Sequence, residues 1–239
     1  MFFAISLHMN AQTSEKEYMQ WFDSKVGLEN TSLYNGFLND GDGDVERNKS
    51  YKGTQRYFKS FEFSDGDLVY EEQPYFNIQM KYDMYEDELL LNLKSSRNTI
   101  LSIRPIKDKV KSFKIRGKEF VNTNTYSVED NADIDGFAEI LFDGGSFQLL
   151  KKHQKNRIDH MNIDGILYEY VEKSIEFLYY KGNFYRVKKQ ADFAKVFPEF
   201  KKEIKKYKIK KNTSEANMLS LSERLQSLIS TKSKVLDED

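Results

Sequence analysis

The stretch "FNIQMKYD", residues 76–83, decides how the chain folds. Phe76, Ile78, Met80 and Tyr82 alternate with Asn77, Gln79, Lys81 and Asp83. A period of two describes a strand with one apolar and one wet face, as in an antiparallel sheet. The same period recurs outward in both directions. Upstream, "YFKSFEF" (57–63) and "LVYEEQPY" (68–75) flank Asp65-Gly66, which predicts a hairpin turn there. Downstream come "DELLLNL" (87–93), "NTILSIR" (98–104) and "KVKSFKI" (109–115). "GFAEILF" (136–142) and "SFQLLKK" (146–152) flank Asp143-Gly144-Gly145. "ILYEYVE" (166–172), "SIEFLYY" (174–180) and "FYRVKK" (184–189) follow, with a hairpin predicted at Lys181-Gly182-Asn183. About ten strands at short spacing predict a mainly β, α+β chain. Its centre is a large antiparallel sheet, curved or partly closed as in a half-barrel, and whether it closes into a barrel is left open by the sequence.

Helical spacing marks both ends. Ser14 and Glu17 have capping-box spacing ahead of Tyr18, Trp21 and Phe22, so a short helix is predicted near 15–25. "GLENTSLYNG" (27–36) reads as a loop entering a short strand. After residue 190, Phe193, Val196, Phe197, Phe200, Ile204 and Tyr207 form one apolar helical face, and Pro198 restarts a second helix. Thr213 or Ser214 caps a last helix bearing Leu221, Leu225, Leu228 and Ile229. The expected organisation is a signal remnant at 1–11, a sheet domain at 12–190, a helical segment at 191–232 packed on the sheet, and a frayed tail at 233–239.

The chain has 239 residues, enough for one large or two small domains. Aromatic residues make up 14%, which suits pleated, half-buried strands. Cysteine is absent, which excludes disulfides, thiolate zinc sites, a cysteine nucleophile and a lipid-modified N-terminal cysteine. No apolar run approaches the roughly 18 residues of a membrane helix. The net charge of -1 is split: residues 1–150 carry 17 basic and 25 acidic side chains, residues 151–239 carry 20 and 13. A basic back end points to an anionic partner or to attraction by the acidic front.

"MFFAISLHMNAQ" (1–12) has an apolar stretch followed by small or polar residues, with Ala11 before Gln12. It reads as the end of a secretory signal, although no Lys or Arg precedes the apolar stretch. Three further segments carry a resemblance: "GLENTSLYNG" (27–36), "VYEEQPYFNIQMKYDMYEDELLL" (69–91) and "YYKGNFYRVKKQADFAKVFPEFKKEIKKYKIKKN" (179–212). Their order is similar to that in a group of uncharacterised exported proteins of Bacteroidetes-type bacteria, whose signals end like Asn10-Ala11-Gln12. The resemblance spans most of the chain. It implies export to the periplasm or cell envelope and a β-rich fold, and it brings no activity and no functional residues.

Candidate chemistry is sparse. Asp40, Asp42 and Asp44 in "NDGDGDVE" (39–46) match positions 1, 3 and 5 of a calcium loop. Val45 and Tyr51 stand where that loop needs Gly and a bidentate Glu, so the reading is an irregular calcium site at best and a solvated acidic loop otherwise. His153 and His160 lie in "HQKNRIDHMNID" (153–164), read as a polar loop. There His160 with Asp159 or Asp164 is the one candidate base for a hydrolase. Acidic runs such as Glu71-Glu72 and Glu86-Asp87-Glu88 read as wet strand edges. No nucleophile elbow, dinucleotide fingerprint or phosphate loop is present, so no cofactor is expected. Lys201, Lys202, Lys205, Lys206 and Lys208 form a basic face behind the apolar stripe. Such a face suits an anionic membrane surface or a solvated helix back. Nucleic acid is disfavoured by the acidic front half. The expected function is a non-catalytic envelope protein that binds an apolar ligand or a protein partner, or acts structurally. The alternatives are the His160 hydrolase and a periplasmic lipid carrier.

Overall fold

In a computed structural model of the chain, the residues described are 16–22, 25–39, 47–95, 99–128, 134–163, 165–207 and 214–236. Among these described residues there are thirteen strands: β1 (Phe37–Leu38), β2 (Ser64–Tyr70), β3 (Gln73–Asp83), β4 (Glu88–Lys94), β5 (Ile100–Arg104), β6 (Val110–Ile115), β7 (Lys118–Asn122), β8 (Phe137–Asp143), β9 (Gln148–Lys152), β10 (Lys155–Asn162), β11 (Gly165–Glu172), β12 (Ile175–Tyr180) and β13 (Asn183–Val187). Three C-terminal helices follow: α1 (Gln190–Val196), α2 (Lys201–Lys206) and α3 (Ser214–Leu236). Residues 16–22 are also helical. Eleven strands form one sheet in the order β1-β5-β4-β3-β2-β6-β7-β8-β9-β12-β13, while β10 and β11 form a separate ribbon. The large sheet has two edges, β1 and β13, and is not closed into a barrel. No helix among the described residues is long and apolar enough to cross a membrane.

The chain divides into two compact units, at Glu119/Phe120, Gln154/Lys155 and Val171/Glu172. The divisions fall inside the stretch that the sequence presents as one sheet domain. The first unit buries Leu68, Tyr70, Tyr75, Ile78, Met80, Tyr82, Leu91, Ile103 and Phe113. In the second, the register sets Leu149 opposite Leu178 and Leu150 opposite Phe177. Leu149 and Leu178 join Phe147, Val187, Phe193, Phe197, Ile204, Met218, Leu221 and Leu225 in one cluster. Leu150 and Phe177 join Ile134 and Ala138 in another. Alternation along each strand thus feeds two clusters.

Several local expectations are corrected. Asp65-Gly66 is not a turn but part of β2. A Cβ at Gly66 would meet the Lys114 carbonyl oxygen and the Met80 sulfur, so the glycine serves close approach of β6 and not a reversal. The β2–β3 reversal is Glu71-Glu72, with φ of 49° and 63° between the paired Tyr70 and Gln73. Residues 58–63 are irregular, and only Tyr57 makes an isolated bridge, to Asp83. In β3, Asn77 has φ 55° and donates its backbone N–H to Asp67 Oδ1 at 3.2 Å. The bulge shifts the alternation, so Tyr75 and not Phe76 is buried with Ile78, Met80 and Tyr82. Residues 155–162, read as a polar loop, are β10. The β10–β11 ribbon leaves Met161 and Ile163 at its end exposed. Helix α3 continues to Leu236, into the stretch read as a tail.

Candidate functional site

The basic C-terminal face resolves into a groove. Helix α1 starts after β13 because Asp192 accepts backbone N–H groups of Lys188 and Lys189 at 3.1 and 3.2 Å. Burial works against the Asp192 charge, but these donors and Lys195, 3.1 Å away, hold its carboxyl below the usual value. Phe193 and Phe197 bury completely, Ala194 is buried beside them at 8% exposure, and the small Ala191 is exposed on the helix. Pro198 breaks the helix, a 3-10 turn at Pro198–Phe200 follows, and α2 then folds back. The Gln190 side chain donates to the carbonyls of Ile204 and of Tyr207, the latter at 2.9 Å, and fixes the two helices together. The hollow left between them is about 630 Å³ and is lined by Ala191, Ala194, Pro198 and Ile204, with Lys195, Lys201 and Lys205 at its rim. Lys201 and Lys205 make no ion pair among the described residues. Lys202 and Lys206 are exposed on the same helix but do not line the groove. Lys208 lies outside the described residues.

The first unit holds a second concavity, of about 500 Å³ and mostly polar. It lies on the sheet face opposite the core, where Lys81 pairs with Leu90 and Asp83 with Glu88. The irregular segment 56–63 covers this face. Arg56 Nε lies 2.5 Å from Asp83 Oδ2, and Arg56 also reaches Glu86 at 3.3 Å. Backbone N–H groups of Tyr85 and Glu86 donate to Asp83 Oδ1 at 2.9 and 3.1 Å. Burial outweighs these partners and pushes the Asp83 carboxyl up to about 6. Lys81 lies over the rings of Tyr57 at 3.9 Å and Phe63 at 4.8 Å. At the mouth, Arg104 meets Glu88 at 3.3 Å. Asn39, Leu38 and Leu90 complete the wall.

The hydrolase candidate changes partner. His160 Nε2 is 2.7 Å from Glu169 Oε2, and its ring stacks on Tyr51 at 3.8 Å with an interplanar angle of 8°. Asp159 pairs instead with Arg157 at 2.9 Å, because neighbouring residues of β10 point to opposite faces. Asp164 lies outside the described residues, as do Asp40, Asp42 and Asp44. His153, in the short link between β9 and β10, is buried against Glu139 of β8 at 2.7 Å. Among the described residues no group of three metal-binding side chains comes together.

The sequence brought Lys201 and Lys205 forward but not the alanines and proline that make room between them. Ala191 and Ala194, three apart and beside a proline, are the signal for a hollow. Arg56, Lys81, Asp83, Glu86, Glu88 and Arg104 had no sequence signal as a group, because strand register and an irregular cover bring them together. No protein-family model, curated protein or solved structure matches the chain.

Proposed function

We propose that this is a non-catalytic binding protein of the cell envelope that holds an anionic amphiphile, an acyl chain with a carboxylate or phosphate head, between α1 and α2. The observation that carries this reading is the apolar floor of Ala191, Ala194, Pro198 and Ile204 under the cationic rim of Lys195, Lys201 and Lys205. Its volume lies in the range of small-molecule sites, roughly 300–1,000 Å³. The acyl chain would lie along the floor, where burial stabilises it by about 0.8 kcal/mol per methylene. The head group would face Lys201 and Lys205, which α2 carries four residues apart on one face. Export rests on the signal-like residues 1–12 and on the resemblance to exported proteins.

The test is a titration with dodecanoate and dodecyl phosphate, with dodecyltrimethylammonium as the cationic control. Both anions are expected to bind and the cation to fail. The double variant Lys201→Glu, Lys205→Glu is expected to weaken the anions at least tenfold. Ala194→Leu, which fills the floor, is expected to abolish binding. Equal binding of the cation, or indifference to the charge reversal, would refute the reading.

A further inference from the structure

We propose that the polar pocket of the first unit is a second binding site, for a neutral polyhydroxylated ligand of the saccharide class. This does not rest on the amphiphile reading, since the two sites share no residue.

The argument begins with charge. Three cations line the pocket, Arg56, Lys81 and Arg104, and three carboxylates face them, Asp83, Glu86 and Glu88. An anion entering gains the cations but meets the carboxylates, and a cation meets the reverse. The balance therefore gives a net ion no advantage. It does provide dense hydrogen bonding. Guanidinium groups only donate, ionised carboxylates only accept, and the Asn39 amide does both. A hydroxyl donates and accepts at once, so a vicinal diol can bridge a guanidinium and a carboxylate without adding charge.

The pairs differ in how firmly they are held. Arg56 and Asp83 are 2.5 Å apart at the buried floor, fixed by the two backbone donors on Asp83. The outer pairs Arg56–Glu86 and Arg104–Glu88 are each 3.3 Å, and Glu86 and Glu88 are half-exposed. The outer pairs are longer and more exposed, so a hydroxyl can displace one contact and bridge to the other partner, while the inner pair holds the frame. The exposed Leu38, with Leu90 behind it, gives the same pocket an apolar wall for the C–H face of a sugar ring. A volume of about 500 Å³ accommodates one or two such rings.

The experiment is titration calorimetry of the full chain with glucose, galactose, mannose, N-acetylglucosamine and lactose, with glutamate, lysine and glycine betaine as charged and zwitterionic controls. At least one sugar is expected to bind and none of the controls to bind better. Glu88→Gln, which keeps shape and removes an acceptor charge at a half-exposed position, is expected to weaken that sugar at least tenfold. Asn39→Ala is expected to weaken it as well, and the Lys201→Glu, Lys205→Glu variant to leave it unchanged. Absence of binding by all five sugars overturns the proposal, as does tighter binding of a control. Sugar affinity unmoved by both Glu88→Gln and Asn39→Ala also overturns it.

Discussion

Asp83 shows how one side chain can set both a site and a pH response. Its carboxyl is buried, and burial raises its pKa from 3.8 to about 6 despite the Arg56 guanidinium and two backbone donors. The folded protein therefore holds this proton more tightly than the unfolded chain does. Its contribution to stability is fully present below pH about 4 and is lost as the pH rises through about 6. Asp83→Asn removes the titration. Urea midpoints measured from pH 4 to 7 should fall less steeply in the variant than in the parent. Parallel curves would show that the folded and unfolded pKa values coincide. Asp83 also explains why the polar residues of "FNIQMKYD" are not all wet. Asn77 and Gln79 are exposed, whereas Lys81 and Asp83 are buried under segment 56–63. Alternation marks which residues share a face. It carries no information about what later covers that face.

At the scale of elements, three tight reversals can be compared. Arg116-Gly117 and Lys181-Gly182 have positive φ at both positions, with glycine second. Glu71-Glu72 adopts the same left-handed conformations with two non-glycine residues, paired to Lys109 and Lys111. Left-handed backbone disfavours a residue with a Cβ, and exposed ion pairs return only about 0–1 kcal/mol. Glu72→Gly should therefore stabilise the protein by about 0.5–1 kcal/mol, read as a higher urea midpoint at unchanged slope. A lower midpoint would assign the turn to its ion pairs. This reversal also marks the limit of what the sequence could reveal. Gly144-Gly145 and Lys181-Gly182 were legible because glycine and turn coincide. Asp65-Gly66 misled because its glycine serves a close strand contact, and Glu71-Glu72 was hidden because its residues are not turn formers. Strand β3 was legible from the alternation of Ile78, Met80 and Tyr82, and β4 from its apolar run. The polar β10 was not, because its pairing to β11 comes from the ribbon and not from an apolar face. The lysines of α2 were visible as a stripe, but the groove beside them depends on how Pro198 and Gln190 fold α1 against α2.

For the whole molecule, the chain path matters as much as the cores. The first unit is completed by the distant segment 155–171. Within it, Lys155 N–H donates to the Met84 carbonyl at 3.1 Å, and Tyr168 N–H donates to the Lys49 carbonyl at 2.7 Å. Such contacts need closure of long loops, which is entropically slow and unfavourable without the packing it enables. A fragment ending at residue 119 lacks these partners. It is expected to show broadened amide resonances and to unfold at lower urea than the full chain. Sharp resonances with an unchanged midpoint would make the ribbon dispensable. The end of that ribbon has a practical consequence. Ile163 is fully exposed and Met161 is 86% exposed. Because the chain has no cysteine, Ile163→Cys would carry the molecule's sole thiol, at a position whose environment is water. An environment-sensitive dye attached there would emit as it does in solvent. A blue shift on adding vesicles or extract would report coverage of the ribbon, in a label that neither binding pocket contacts.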